Sequence, residues 1–133
     1  YWLDPGIPAA REFAKRLIAE VAEKYPIDGL QYDYIRYPFN MSPNEMGWNW
    51  SGRLRFERET GLCLDRLDNS SREVWQAWRL AQVNSFVEEC SRMLRQMRPG
   101  IRISAAVYGY PRRSRCANVQ QDCESWVKAG WLD

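Results

Sequence analysis

The 133-residue chain contains no histidine. Within these residues, that excludes a serine or cysteine nucleophile activated by an imidazole, and it removes the residue that most often completes a mixed zinc site. The cysteines, Cys63, Cys90, Cys116 and Cys123, show no CxxC spacing. Neither a metal nor another cofactor is therefore expected, and acid-base work must fall to carboxylates, tyrosines or lysines. There is little charge excess: 19 basic residues against 17 acidic ones leave a net +2, with the signs mixed along the chain. That balance gives no electrostatic case for a nucleic-acid partner. The densest basic run, Arg112-Arg113-Ser114-Arg115, reads as solvated surface. No apolar run approaches the roughly 18 residues of a membrane span, and the N-terminus has no basic-then-apolar export signal. Because the chain starts at Tyr1 rather than methionine, it is expected to be a piece of a longer protein, whose location these residues leave unknown.

The chain is rich in apolar and aromatic residues. A hydrophobic content of 45% and an aromatic content of 14% are enough to bury the core of one compact unit. From Pro8 to Tyr25, the residues Phe13, Ala14, Leu17, Ile18, Val21, Ala22 and Tyr25 form a stripe of helical period opposite charged residues, which predicts an amphipathic helix. Pro8 suits its first turn and Pro26 stops it. Asp28-Gly29 then turns into a strand expected from Leu30 to Ile35, with Leu30, Tyr32 and Tyr34 on one face and Gln31 and Asp33 on the other. A second helical pattern, Glu73 to Arg98, has Trp75, Trp78, Phe86, Cys90, Leu94 and Met97 along its buried stripe and ends at Pro99-Gly100. Ile101 to Tyr108 reads as another strand, Gln121 to Ala129 as a last helix, and Trp131-Leu132-Asp133 as the start of a further strand. The alternation of strand and helix predicts an α/β fold.

Between the first strand and the long helix, Phe39 to Leu67 forms an excursion rich in Asn, Gly, Ser and Trp, with a short helix expected over Arg53 to Thr60. Loops of this length in compact domains are usually functional. The strand before it ends in a carboxylate, an arginine and tyrosines, as barrel strands do where they deliver chemistry to their C-terminal rim.

The carboxylates differ in promise. Asp28 and Asp33 lie on opposite faces of an extended strand, so they cannot act together. Asp28 reads as a turn residue and Asp33 as the candidate catalytic acid, with an ion pair to Arg36 as the plainer reading. Asp4, before Pro5-Gly6, reads first as a turn organiser, with a catalytic role as its second reading. Glu57 and Glu59 read as solvated, and Asp122 and Glu124 as favourable charges at a helix N-terminus. Glycoside hydrolysis ordinarily needs a pair of carboxylates roughly 5–9 Å apart. Asp33's partner is then a weaker candidate or lies beyond Asp133. Among the aromatics, Tyr37, Trp48, Trp50, Tyr108 and Tyr110 fall at or after strand ends, where flat rings with a polar handle suit sugars. Trp75, Trp78 and Trp126 read as core. Cys90 also reads as core, whereas Cys63, Cys116 and Cys123 lie in or near loops and could pair in an oxidising compartment.

Taken in order, Trp2-Leu3-Asp4-Pro5-Gly6, the run Asp28-Gly29-Leu30-Gln31-Tyr32-Asp33-Tyr34-Ile35-Arg36-Tyr37-Pro38, Trp78-Arg79 with Gln82-Val83-Asn84, and Gly130-Trp131-Leu132-Asp133 resemble the glycosyl-hydrolase-like family 10 proteins of bacterial envelopes. The resemblance runs nearly end to end. It implies a (β/α)₈ barrel, an extracytoplasmic setting, and cleavage of peptidoglycan glycan strands stripped of their peptides. It also marks Asp33 as the strand-end acid and Arg36 and Tyr37 as its substrate-facing companions. The chain departs from the family pattern at Gln31, where histidine is common, and at Tyr34, where some members carry a second acid.

The expectation is a partial (β/α)₈ TIM barrel of about two and a half βα units, since a whole barrel needs roughly 250 residues. The barrel is expected to belong to a glycoside hydrolase that works by carboxylate chemistry on a polysaccharide, with the 133 residues alone inactive. Asp33 is the catalytic candidate; Gln31, Tyr34, Arg36, Tyr37, Tyr108, Trp48 and Trp50 are the substrate-binding candidates. The remainder of the barrel would be the structural partner. The alternatives are a non-catalytic glycan-binding barrel and an α/β interaction domain unrelated to sugars.

Overall fold

The protein is described by a computed structural model covering residues 3–38, 50–108 and 119–133. The architecture is α/β, with helices packed on one face of a small parallel sheet. Helix α1 (Pro8–Lys24) starts where proline's missing N–H costs nothing and ends at an extended Tyr25 before Pro26. Strand β1 (Gly29–Tyr32) follows. The crossover then carries α2 (Trp50–Thr60), a short 3₁₀ turn (Leu64–Arg66) and the long α3 (Asn69–Met97). It delivers β2 (Arg102–Ala105) in parallel beside β1, with Gly29 opposite Arg102 and Tyr32 opposite Ala105. Helix α4 (Cys123–Lys128) follows β2.

The helix ends have local causes. Asp68 accepts a hydrogen bond from Ser71 N, and Ser71 Oγ accepts one from Asp68 N, a reciprocal cap that starts α3 before the expected Glu73. The Ser71 and Ser70 donors hold the Asp68 carboxyl down at about 2. At the other end Gly100 takes φ +91°, a backbone conformation that side chains resist, and turns the chain into β2.

Leu30, Tyr32, Ile101 and Ile103 face the helices and join Val83, Val87, Cys90, Leu94 and Trp126 in the main core. As expected, Trp75, Trp78, Trp126 and Cys90 are buried; burial pushes the Cys90 thiol up to about 12. Phe56, Leu64, Trp75 and Trp78 form a second cluster that docks α2 on the first turns of α3. There Trp75 and Trp78 stack at 5.3 Å, and Phe56 meets both edge-on. On the opposite sheet face, Gln31, Arg102 and Ser104 are exposed.

Several expectations are corrected. Strand β1 stops at Tyr32 rather than Ile35, because Tyr34 takes φ +54° and breaks the alternation. Strand β2 stops at Ala105, although Ala106 N still donates to Tyr32 O. Trp131–Asp133 is not a strand. Asp133 nevertheless lies along β2, its N–H donating to Ile103 O and its carboxylate accepting from Ile103 N. On α1, Phe13 and Leu17, expected in the core, are each 47% exposed, with Val21 and Tyr25 also open, while Arg11 is buried. Helix α1 turns its Arg11 and Lys15 side to α3, leaving part of the apolar stripe uncovered among the described residues.

The α1–α3 seam is polar. Arg11 donates to Gln82 O at 2.8 Å, to Ser85 Oγ at 3.0 Å and to Glu89, and Lys15 reaches the other Glu89 oxygen at 3.1 Å. Burial pushes the Glu89 carboxyl up, but Lys15 and Arg11 outweigh it and hold it below its ordinary 4.5. A carboxyl depressed on folding stabilises fully above its unfolded value and loses that contribution as pH falls through the folded one. Glu89→Gln should therefore flatten the fall in urea midpoint between about pH 5 and 3 relative to wild type. An unchanged acid limb would contradict the seam. Arg11→Leu should lower the unfolding free energy by about 1–3 kcal/mol at pH 7, read from the same titrations.

Candidate active site

The two strand exits lie at one end of the sheet because the strands are parallel. Immediately past β1, Asp33 Oδ1 accepts from Tyr34 N at 2.8 Å, and Tyr34 O accepts from Arg36 N at 2.7 Å. The left-handed Tyr34 makes this tight turn, at a strain of about 1–3 kcal/mol for a non-glycine residue. The turn sets Asp33 and Tyr34 in solvent. It also lifts the Arg36 guanidinium over two rings, 4.7 Å from the Tyr34 centroid and 5.1 Å from that of Tyr108, which follows β2. Gln121 ties the two exits together: its Nε2 donates to Ala106 O and Ile35 O, and its Oε1 accepts from Tyr108 N.

A buried polar array lies behind the rim. Tyr37 is 1% exposed; its N–H donates to Val119 O and its hydroxyl donates to Asp4 Oδ1 at 3.1 Å. Burial and the Asp4 carboxylate push this phenol up, so it is a fixed donor at physiological pH. Arg79, 2% exposed, stacks its guanidinium over the Tyr37 ring at 4.5 Å and donates to Gln120 Oε1. Burial pushes Arg79 down from its ordinary value, opposed by Tyr37 and Asp4, but an arginine stays charged regardless. Gln120 donates onward to Gln76 Oε1 at 2.7 Å and is the other non-glycine residue with positive φ among those described.

Asp4 is also fixed from its own side. Its Oδ1 accepts from Gly6 N at 2.7 Å. A Cβ on Gly6 would lie 3.0 Å from that oxygen and 3.1 Å from the Trp78 ring. Trp78 itself is held by its stack on Trp75 and by Nε1–H donating to Glu59 at 2.7 Å. Arg55 pairs with Glu59 and donates to Gly6 O, so the excursion helix α2 braces the Asp4 turn. Burial pushes Glu59 up, but its bonds to Trp78 and Arg55 outweigh this and keep its carboxyl below the ordinary value. Glu59 is thus a brace rather than a solvated charge. Glu57 likewise pairs with Arg53 and accepts from Leu64 N.

Asp4, Asp33, Tyr34 and Arg36 line a single cleft of about 650 Å³ between α1 and the β1 exit, with Ala14, Ile18 and Phe86 among its apolar walls. Two carboxylates, a guanidinium and the exposed Tyr34 ring equip this rim for acid-base work on a polar, ring-shaped ligand. Among the described residues, no group of His, Cys, Asp and Glu is arranged to hold a metal.

The predicted site residues fall into distinct places. Asp33, Tyr34, Arg36 and Tyr108 come together at the rim. Gln31 lies on the open sheet face, and Trp50 is 71% exposed at the start of α2. Tyr37, expected to touch substrate, is buried and serves Asp4 instead. The Asp33–Arg36 ion pair is absent: among the described residues Asp33 enters no ion pair, and Arg36 stacks on rings. Trp48, Tyr110, Cys116 and the Arg112–Arg115 run lie outside the described residues. Arg79 and Gln120 were missed. The available signal was Arg79's place midway between Trp75 and Val83, four residues from each, on the apolar stripe of α3.

The profile of the glycosyl hydrolase-like 10 family matches residues 1–133. The chain is 25% identical over 144 residues to the protein named glycosyl hydrolase DigH of Escherichia coli (strain K12), an alignment that spans 98% of this chain and 30% of that relative. It is 24% identical over 143 residues to the protein named glycosyl hydrolase YngK of Bacillus subtilis (strain 168), covering 97% of this chain and 26% of that relative. The chain therefore spans less than a third of the length of the curated relatives it matches. No solved structure matches it significantly.

The packing around Asp4 makes one expectation sharp. Gly6→Ala should cost about 1–3 kcal/mol, because neither the Trp78 ring nor the Asp4 turn can yield without breaking its own bonds. A thermal midpoint equal to wild type would show that the turn is looser than described.

Proposed function

The chain belongs to the glycosyl hydrolase-like 10 family, and from that premise we propose that it forms the acid-bearing sector of a glycoside hydrolase built on a (β/α)₈ barrel. Three features support the barrel. The sheet is parallel with a helical crossover, its Gln31 and Ser104 face is uncovered among the described residues, where the remaining barrel strands would pack, and Asp133 hydrogen-bonds along the outer edge of β2. The exposed Phe13 and Val21 of α1, which lie outside the cleft lining, suit a neighbouring barrel helix.

The observation that carries the functional reading is an exposed carboxylate, Asp33, held at a strand exit by its own backbone turn and flanked by Arg36, Tyr34 and Tyr108. In the reaction, a carboxylic acid gives its proton to the bridging oxygen as the C1–O bond breaks. A second carboxylate takes a proton from the water whose oxygen bonds to C1, or itself bonds to C1 before water releases the sugar. Asp33 is the proposed member of this pair. Tyr34, Tyr108 and Trp50 offer faces for sugar rings, with Gln31 and Arg36 offering donors.

The substrate proposed is peptidoglycan glycan stripped of its peptides. Removal of the peptide leaves a free carboxylate on every second sugar, and the ring-held Arg36 is a suitable partner for it. The rival reading is a barrel that binds such glycan without cleaving it.

Asp33→Asn in the full-length protein should lower kcat on stripped glycan strands by roughly 10²-fold or more while leaving binding near wild type. Release of reducing ends at the wild-type rate would remove Asp33 from the mechanism. Tight binding by the wild type with no turnover would favour the scaffold.

A further inference from the structure

We propose that Asp4 is the second functional carboxylate of this site, set opposite Asp33 and positioned by Tyr37 and Arg79; the inference rests on the glycoside-hydrolase reading above. Asp4 and Asp33 come from different segments yet line the same cleft. Their surroundings differ in kind. Asp33 stands in solvent with, among the described residues, a single bond from its own turn, whereas Asp4 is half-buried and its Oδ1 accepts from both Gly6 N and Tyr37 Oη. The two carboxylates therefore reach one cleft from unlike settings, one open to water and one held by two donors.

The support behind Asp4 exceeds what an ordinary turn requires. An Asp-Pro-Gly turn is complete with the Gly6 N–H bond alone. Here a fully buried tyrosine adds a second donor, and a buried arginine lies against that tyrosine's ring. A glutamine in the left-handed conformation accepts from the arginine. Burying an arginine and straining a glutamine are both costly, and such costs persist where the surrounding structure over-determines a geometry. All of these elements converge on the orientation of one carboxylate at the cleft. Tyr37 and Arg79 do not reach the ligand; they are positioning residues that act through Asp4.

The test uses the full-length protein on stripped glycan. In Asp4→Asn the amide oxygen can still accept from Gly6 and Tyr37, so thermal midpoint and KM should stay near wild type while kcat falls by about 10²–10⁴-fold. Turnover within about threefold of wild type in Asp4→Asn, alongside an inactive Asp33→Asn, would overturn the proposal and leave the hydrolase reading intact. Full turnover in both variants, or none in the wild type, would instead overturn the hydrolase reading itself. Should Asp4→Asn fail to fold, Tyr37→Phe serves. It keeps the ring under Arg79 but removes one donor from Asp4, so kcat should fall by about tenfold or more with KM and thermal midpoint near wild type, and a kcat equal to wild type would overturn the proposal.

Discussion

Parallel strands cannot be joined by a tight turn, and the return from Tyr32 to Arg102 has to carry the chain the length of the sheet before β2 can begin. Much of the rest of the structure follows from that constraint. The return is made by α3, whose inner face must therefore be apolar against the sheet, and α1 is bolted to α3 through Arg11 and Glu89. Both strands also leave the sheet at the same end, so residues that follow them meet. Tyr34 and Arg36 after β1 thereby come within ring-stacking distance of Tyr108 after β2, and one glutamine side chain, Gln121, bonds to both exits.

The excursion between β1 and α3 gains a structural meaning from the same constraint. Helix α2 is the part of it that folds back, and its Phe56 fills the corner made by Trp75 and Trp78. Arg55 and Glu59 then brace Gly6 and Trp78, so the aromatic cluster at the start of α3 is coupled to the orientation of Asp4. Packing and chemistry are linked here through a few atoms: a Trp ring that leaves no room for a side chain at Gly6, and a backbone N–H that this close approach aims at a carboxylate.

Much of this was legible from sequence. The start of α1 at Pro8, its stop before Pro26 and the buried tryptophans follow from proline geometry and helical period. Other features were hidden for physical reasons. Alternation carried past Tyr32 places Tyr34 in the sheet, because tyrosine, unlike glycine or asparagine, gives no local sign of a positive φ. Tyr37 reads as a rim aromatic, because its burial depends on Val119 and Arg79, far away in sequence. A stripe counted only in apolar residues passes over Arg79, which meets Tyr37 and Gln120 from loops far away in sequence. On α1 the period was right, but a helical stripe does not say which part of it the available neighbours will cover.

The central claim is that Asp33 and Asp4 face one another across the place where a glycan is cleaved. The most direct measurement is a crystal structure of the full-length Asp33→Asn protein with a bound stripped-glycan oligosaccharide. The account predicts a glycosidic oxygen between residue 33 and Asp4, with their side-chain carboxyl and amide groups roughly 5–9 Å apart and a sugar ring against Tyr108 or Tyr34. A glycan bound elsewhere, with the cleft between α1 and β1 filled by other parts of the protein, would contradict it.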